Sequence, residues 1–189
     1  MVVAGLVGAV VLSLSMTGTM SAFVAAITNS TNTAAVGTMS LLETAPNGTT
    51  TCTGTSATAA TCATINKYGG NLVMVPGTTV SANTVTFKNP GTTAANTFTL
   101  TPAPCVSTPT PTALIGDLCT KLKVVITSGS TNLYTGFASA LTAAITLTVP
   151  TPNGALSTPV TFTVSVDASA DNTFQGTSAS QPLTWTLST

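Results

Sequence analysis

Charged side chains are nearly absent from this chain of 189 residues, and their scarcity limits what it can fold into. The chain has four lysines, four acidic residues, no arginine and no histidine. Charged residues make up 4% of it, whereas an ordinary globular domain has about 25%. The polar surface must therefore consist mainly of Thr, Ser and Asn, which favour strands and turns over helices. We expect an all-β fold whose neutral surface allows contact between copies of the protein.

The same composition excludes several classes of function. Four lysines cannot neutralise a row of phosphates, so we expect no nucleic-acid binding. Without histidine, neither a Ser-His-Asp nor a Cys-His catalytic arrangement can form. No phosphate-binding loop or dinucleotide-binding motif is present. The sequence therefore predicts a protein that is not an enzyme and that has no catalytic residues, no metal site and no cofactor.

The few charged residues leave weak alternatives open. Asp167 and Asp171 lie close together in sequence and, with Asn172, could bind calcium. A solvated turn is the simpler interpretation, because calcium requires six or more oxygen ligands. An isopeptide bond from a lysine to an Asn or Asp is a further alternative, and Asn47-Gly48-Thr49 matches the N-glycosylation pattern. We expect all four lysines at the surface: Lys67, Lys88, Lys121 and Lys123.

Four cysteines occur as two local pairs, Cys52 with Cys62 and Cys105 with Cys119. An even number at short separations favours two disulfides, because a short loop closes readily. A zinc site is the rival interpretation, but the CxxC pairs that such sites usually contain are absent. Free buried thiols are the third alternative.

The N-terminal segment Met1–Ala26 is almost entirely apolar or small. Its run Val2–Leu14 has the length of a signal-peptide hydrophobic region and is short for a membrane span, although no lysine precedes it. We therefore expect a cleaved leader at residues 1–21 and a secreted, extracellular protein at the cell surface. The alternative is that the apolar segment is kept, either as a membrane anchor or as the helix of a type IV-like pilin.

The rest of the chain alternates β-branched residues between turn clusters, which predicts roughly eight to ten short strands. One helix is expected at Leu114–Leu122, where Ile115, Leu118, Cys119 and Leu122 follow helical spacing. The Pro-rich segment Pro102–Pro111 cannot be a central strand. The clearest strands are expected at Val36–Leu42, Val80–Lys88, Asn96–Thr101, Lys123–Thr127, Asn132–Phe137, Ala143–Val149, Val160–Val166 and Pro182–Leu187.

Motifs in four places are similar to those of the TasA/camelysin-type biofilm fibre proteins, which carry a SipW-type signal peptide. Gly18–Phe23 (GTMSAF) and Val36–Leu41 (VGTMSL) resemble that family's leader end and first strand. Asn71–Gly91 resembles its Leu-x-Pro-Gly turn and its Val-x-Asn-x-Gly strand. Asn172–Ala179 (NTFQGTSA) resembles its Asn-x-Tyr-Gln-Gly-x-Ser motif.

The resemblance implies a jelly-roll or immunoglobulin-like β-sandwich at residues 36–189 and a filament built by donor-strand complementation. The donor strand would be residues 22–35, in which Phe23, Ala25 and Ile27 alternate and could face the core of a neighbouring copy. The partner would be a second copy of the chain, in a pilus or biofilm matrix fibre attached to the cell surface. Alternatives are a donor segment that pairs within its own domain, a type IV-like pilin, and a monomeric adhesion module.

Overall fold

The computed structural model describes residues 33–55, 58–71, 73–154 and 158–189. Within these ranges the chain forms strands and three short 3-10 turns, and no α-helix. Val36–Thr189 belongs to one folded unit. The strands are β1 Ser40–Thr44, β2 Thr51–Thr55, β3 Val80–Lys88, β4 Thr97–Pro102, β5 Val106–Thr108, β6 Leu122–Ser128, β7 Thr131–Phe137, β8 Ile145–Leu147, β9 Val160–Val166, β10 Ser178–Ser180 and β11 Leu183–Ser188.

Six strands form the larger antiparallel sheet, in the order β2-β1-β3-β9-β6-β7. Buried and half-buried residues alternate along the central strand β9 from Val160 to Val166. This period of two places Val160, Phe162, Val164 and Val166 on one face, which packs into the core. The strands predicted at Val80–Lys88 and Val160–Val166 are confirmed with the same bounds.

The second layer is narrower and consists of two antiparallel ladders, β11-β4-β8 and β10-β5. The two ladders continue one another, since β4 is followed by β5 and β10 by β11. Pro104 and Pro182 lie at the interruption, where each lacks a backbone N–H for pairing. Ala103 N donates to Pro182 O across the gap at 2.9 Å. The second layer is therefore one long antiparallel pair with an interruption in the middle, in which β4 and β5 pair with β11 and β10. Strand β8 pairs with the other side of β4.

An aromatic cluster joins the two layers. The ring centroids of Phe87 on β3 and Phe98 on β4 are 5.0 Å apart, and Trp185 on β11 lies 4.4 Å from Phe87 and 6.1 Å from Phe162 on β9. The three Phe side chains are almost fully buried. Burial of several large rings supplies much of the hydrophobic stabilisation of a sandwich, so this cluster fixes how β11 sits on β3 and β9.

The helix predicted at Leu114–Leu122 is wrong. The structure has a single 3-10 turn there, Leu118–Thr120, and Leu122 already begins β6. Asp117 caps the turn by accepting from Cys119 N at 3.0 Å. A nine-residue apolar pattern is too short to stabilise an isolated helix. Leu122, the last residue of the expected helix, instead pairs with Val166 in the sheet.

The antiparallel sheets and the near absence of helix confirm the predicted all-β sandwich. The strand expected at Val36–Leu42 begins later, at Ser40. The N-terminal donor strand predicted at residues 22–35 lies outside the described residues, except for its last three. In the ranges that the structure describes, no helix is long and apolar enough to cross a membrane.

Candidate functional site

An open groove of about 880 Å³ runs between the two layers at one end of the sandwich. Its apolar lining comes from β6, β9, the turn before β6 and the loop before β3: Ile65, Met74, Leu118, Leu122, Val164 and Val166. Polar residues of the same loop and of the segment before β11 complete the lining. The lining also includes two charged residues, Lys67 and Asp171. A groove with apolar side chains and mostly neutral polar groups suits an extended peptide with few charges.

One wall of the groove is the outer edge of the second layer. The groove is lined by consecutive residues from Thr177 to Leu183. If one face of this segment lined the groove, only every second residue would contact it, because alternate side chains of a strand point to opposite faces. A lining of consecutive residues therefore indicates that the edge of the layer borders the groove. Among the described residues, β10 pairs only with β5 and β11 only with β4. The edge from Ser178 to Ser188 therefore has backbone groups available for another strand.

The opposite wall is a segment without regular pairing, residues 61–71, which we call the strap. Ile65 inserts its side chain into the core with 5% of it exposed. The strap then turns at Asn66, whose backbone O accepts from Gly69 N at 3.2 Å. Gly69 has a φ of +80° and lies so close to Ser81 and Asn83 of β3 that a Cβ would clash with both side chains. Glycine at this position therefore lets the strap lie directly on the inner face of β3.

A buried ion pair holds the strap to β1. Lys67 Nζ lies 2.6 Å from Glu43 Oε1 and donates to Ile65 O at 3.3 Å. Both side chains are more than nine-tenths buried. Burial raises the pKa of Glu43 above its ordinary value of 4.5, and the hydrogen bond and charge of Lys67 only partly oppose this rise. The expectation that all four lysines lie at the surface is therefore wrong for Lys67, because Glu43 compensates its charge inside the fold.

A hydrogen bond joins the strap to the opposite wall of the groove. Tyr68 Oη donates to Gln181 Oε1 at 2.6 Å. Gln181 Nε2 in turn donates to Ala103 O and Leu141 O, each at 2.8 Å. Burial, and to a smaller extent Tyr134, raises the pKa of Tyr68, so its hydroxyl stays protonated as a donor. Every polar atom of the Gln181 amide is thus used, which fixes the side chain between β10 and β11.

Both predicted disulfides are present, Cys52 with Cys62 and Cys105 with Cys119. The first ties the start of the strap to β2, and the second ties the 3-10 turn beside Leu118 to the start of β5. Each bond therefore anchors one wall of the groove. Disulfides of this kind are typical of proteins that fold in an oxidising, extracellular environment.

Asp167 and Asp171 are occupied by local contacts. Asp167 Oδ2 lies 2.7 Å from Lys123 Nζ, and its Oδ1 accepts from Ser169 N and Oγ at 2.9 and 2.6 Å. These contacts, with that of Lys123 the largest, hold the pKa of Asp167 well below its usual range. Asp171 caps the turn Asn172–Phe174 through Thr173. The two acids serve as turn caps, and the described residues contain no cluster of three potential metal ligands.

The remaining predicted residues have simple placements. Phe23, Ala25 and Ile27 lie outside the described residues. Asn47 forms the exposed turn between β1 and β2, where its Oδ1 accepts from Thr49 N at 3.0 Å and Thr50 N at 2.9 Å. The strap and Gln181 were not expected from the sequence, which predicted only the disulfide that holds Cys62 at the start of the strap.

No protein-family model matches this chain, and no curated protein sequence matches it. The likeness to TasA/camelysin-type proteins therefore consists of the motifs in the sequence.

Proposed function

We propose that this chain is a structural subunit of an extracellular filament, a pilus or biofilm matrix fibre, that assembles head-to-tail by donor-strand complementation. Residues 22–35 of one copy add a strand to the Ser178–Ser188 edge of the next and place alternate side chains in its groove. The observation that carries the proposal is this edge, which pairs with no other described strand on its outer side and lies beside a partly apolar groove. An extended peptide that joins such an edge gains backbone hydrogen bonds along its whole length.

The donor segment matches the groove in length and polarity. The edge Ser178–Ser188 is shorter than the segment 22–35, so an extended donor can cover it. The first charged residue of the chain is Glu43. The donor's side chains can therefore be buried without removing a charge from water, while the α-amino group that cleavage would leave at Ala22 stays at the exposed end of the strand. Phe23, Ala25 and Ile27 lie at alternate positions, so in a strand they would share one face.

Head-to-tail contact also explains why assembly would continue. The donor and the acceptor are different surfaces of the same chain, so each added copy presents a new free end and an open filament results. The near-zero net charge removes most repulsion between neighbouring copies. The role requires no catalytic residue, metal or cofactor, and the disulfides suit a fibre outside the cell.

The test is electron microscopy of secreted protein from cells that make the full chain or one of three variants. Deletion of residues 23–34 should abolish filaments. Ile27→Asp should also abolish them, because it places a charge in the groove. Thr28→Asp is the matched control, since the neighbouring side chain would point to the opposite face of the proposed strand, and it should leave filaments intact. Filaments from the deletion variant, or equal effects of the two aspartates, would refute the donor strand.

A further inference from the structure

The strap lies where an added strand would have to lie. Lys67 contacts Glu43 on the inner face of β1, and Gly69 contacts Ser81 and Asn83 on the inner face of β3. Tyr68 reaches across to Gln181, between β10 and β11. The strap therefore fills the layer that faces β1 and β3, next to the second layer's free edge.

A strand paired with β10–β11 would occupy this same position. Neighbouring strands lie about 4.8 Å apart, and facing layers about 10 Å apart. A strand beyond β11 would therefore face β3 and β1, whose inner faces the strap covers. In the ranges described, the strap forms no ladder with β10 or β11. It contacts the edge through the hydrogen bond from Tyr68 to Gln181, and no other described strand pairs with that side of β10 or β11.

We propose that the strap is a built-in competitor of the donor strand, which covers the docking site in the free subunit and moves aside when a second copy binds. This inference rests on the proposed function and adds its regulation. Residues 68–71 are the part of the strap suited to the exchange, because in the described ranges they form no backbone ladder. Ile65 in the core and the buried Lys67–Glu43 pair hold the part before them in place. Cys62 keeps its first end attached to β2.

The contact between Tyr68 and Gln181 gives the most selective way to test the strap. Tyr68→Phe removes one hydroxyl and leaves the bonds from Gln181 to Ala103 and Leu141 in place. A single hydrogen bond shifts an equilibrium by roughly 2- to 10-fold. If the strap has to open before the donor binds, Tyr68→Phe raises the population of the open state and speeds assembly by that factor.

The experiment follows filament growth of the purified, monomeric full chain by light scattering, with electron microscopy of the product. Tyr134→Phe is the matched control. It also removes a tyrosine hydroxyl, which donates to Phe137 O at 2.6 Å within β7 and does not join the strap to the edge. We expect Tyr68→Phe to assemble about 2- to 10-fold faster than the unchanged chain, and Tyr134→Phe to assemble at the unchanged rate.

The other outcomes separate the two proposals. If the unchanged chain forms filaments but Tyr68→Phe is no faster, the strap is not a competitor and the donor-strand filament stands. If Tyr134→Phe is accelerated equally, the effect is a general loosening of the fold and the strap proposal fails. If none of the three chains forms filaments, the proposed function is refuted, and the strap proposal with it.

Discussion

Glu43 and Lys67 make up a quarter of the charged residues of this chain, and they lie in contact in its interior. Removing two charges from water is expensive, so such a pair contributes little net stability compared with apolar residues. Breaking it by removing one partner is costly, because the other charge is then buried alone. The pair therefore acts mainly to fix where the strap lies on β1.

The pH dependence of stability follows from the raised pKa of Glu43. The folded protein keeps a proton on Glu43 at pH values where the unfolded chain, with a pKa of 4.5, has lost it. This contribution is full below pH 4.5 and is lost as the pH rises through the folded pKa. Lys67→Met removes the positive charge that lowers the pKa of Glu43, so the folded pKa of Glu43 rises further. The stability of the variant therefore continues to fall up to a higher pH. We expect Lys67→Met to lower the free energy of unfolding by about 3 kcal/mol at pH 8, and by less at pH 5.

Denaturant unfolding of the Lys67→Met variant at both pH values measures this effect. The matched control is the double variant Lys67→Met with Glu43→Gln, which removes both charges. It should recover most of the lost stability and show no difference between pH 5 and pH 8 from this site. Equal losses in the single and double variants, at both pH values, would contradict a buried ion pair.

The sequence did not predict either half of this pair. The strand expected from the sequence ended at Leu42, whereas β1 continues to Thr44 and so places Glu43 on the same face as Leu41. Lys67 lies on an irregular segment, where no periodicity tells which way a side chain points. Its position depends on the turn at Asn66 and on the fit of Gly69 against β3, and both are results of the tertiary fold.

At the scale of elements, the segment that the apolar spacing predicted to be a helix is a 3-10 turn held by the Cys105–Cys119 disulfide. The bond joins residues 14 apart and fixes the 3-10 turn against the start of β5, where Ser107 Oγ accepts from Leu118 N at 3.1 Å. The side chain of Cys119 is 2% exposed. This turn therefore gains its order from tertiary contacts and from the covalent link.

Removing that disulfide should weaken the fold more than removing the other. Closing a loop of about 15 residues stabilises a protein by about 3 kcal/mol, and the variant Cys105→Ala with Cys119→Ala also loses packing at the buried Cys119. The comparison is Cys52→Ala with Cys62→Ala, whose cysteines are both half-buried. Chemical denaturation should show the larger loss for the first variant. An equal or smaller loss would mean that the 3-10 turn is not anchored through this bond.

The predictability of the elements depends on their length and pattern. β3 and β9 were predicted with the observed bounds, because they are long and carry β-branched residues at regular spacing. β5 and β10 have three residues each and lie beside prolines or small residues, so no local pattern distinguishes them from loops. The free edge, which includes β10, could therefore not be found from sequence alone.

At the scale of the whole molecule, the scarcity of charge has a structural consequence. Proteins usually protect a free sheet edge with lysines, prolines or bulges. None of the four lysines lies within the edge Ser178–Ser188, and its only proline is Pro182. Here the strap contacts the edge instead, through the hydrogen bond from Tyr68 to Gln181. A covering that is not covalently fixed along its length can be exchanged for a strand, whereas charged side chains on an edge oppose pairing because they would have to leave water.

Segment-resolved hydrogen exchange of the monomer and of the filament tests the central claim most directly. Amides that join a new ladder exchange more slowly. We expect assembly to slow exchange in two segments together, residues 22–35 and the edge Ser178–Ser188, while β2 and β7 at the edges of the larger sheet stay unchanged. New protection confined to β2 or β7, with none at Ser178–Ser188, would contradict the account and place the contact between subunits on the larger sheet.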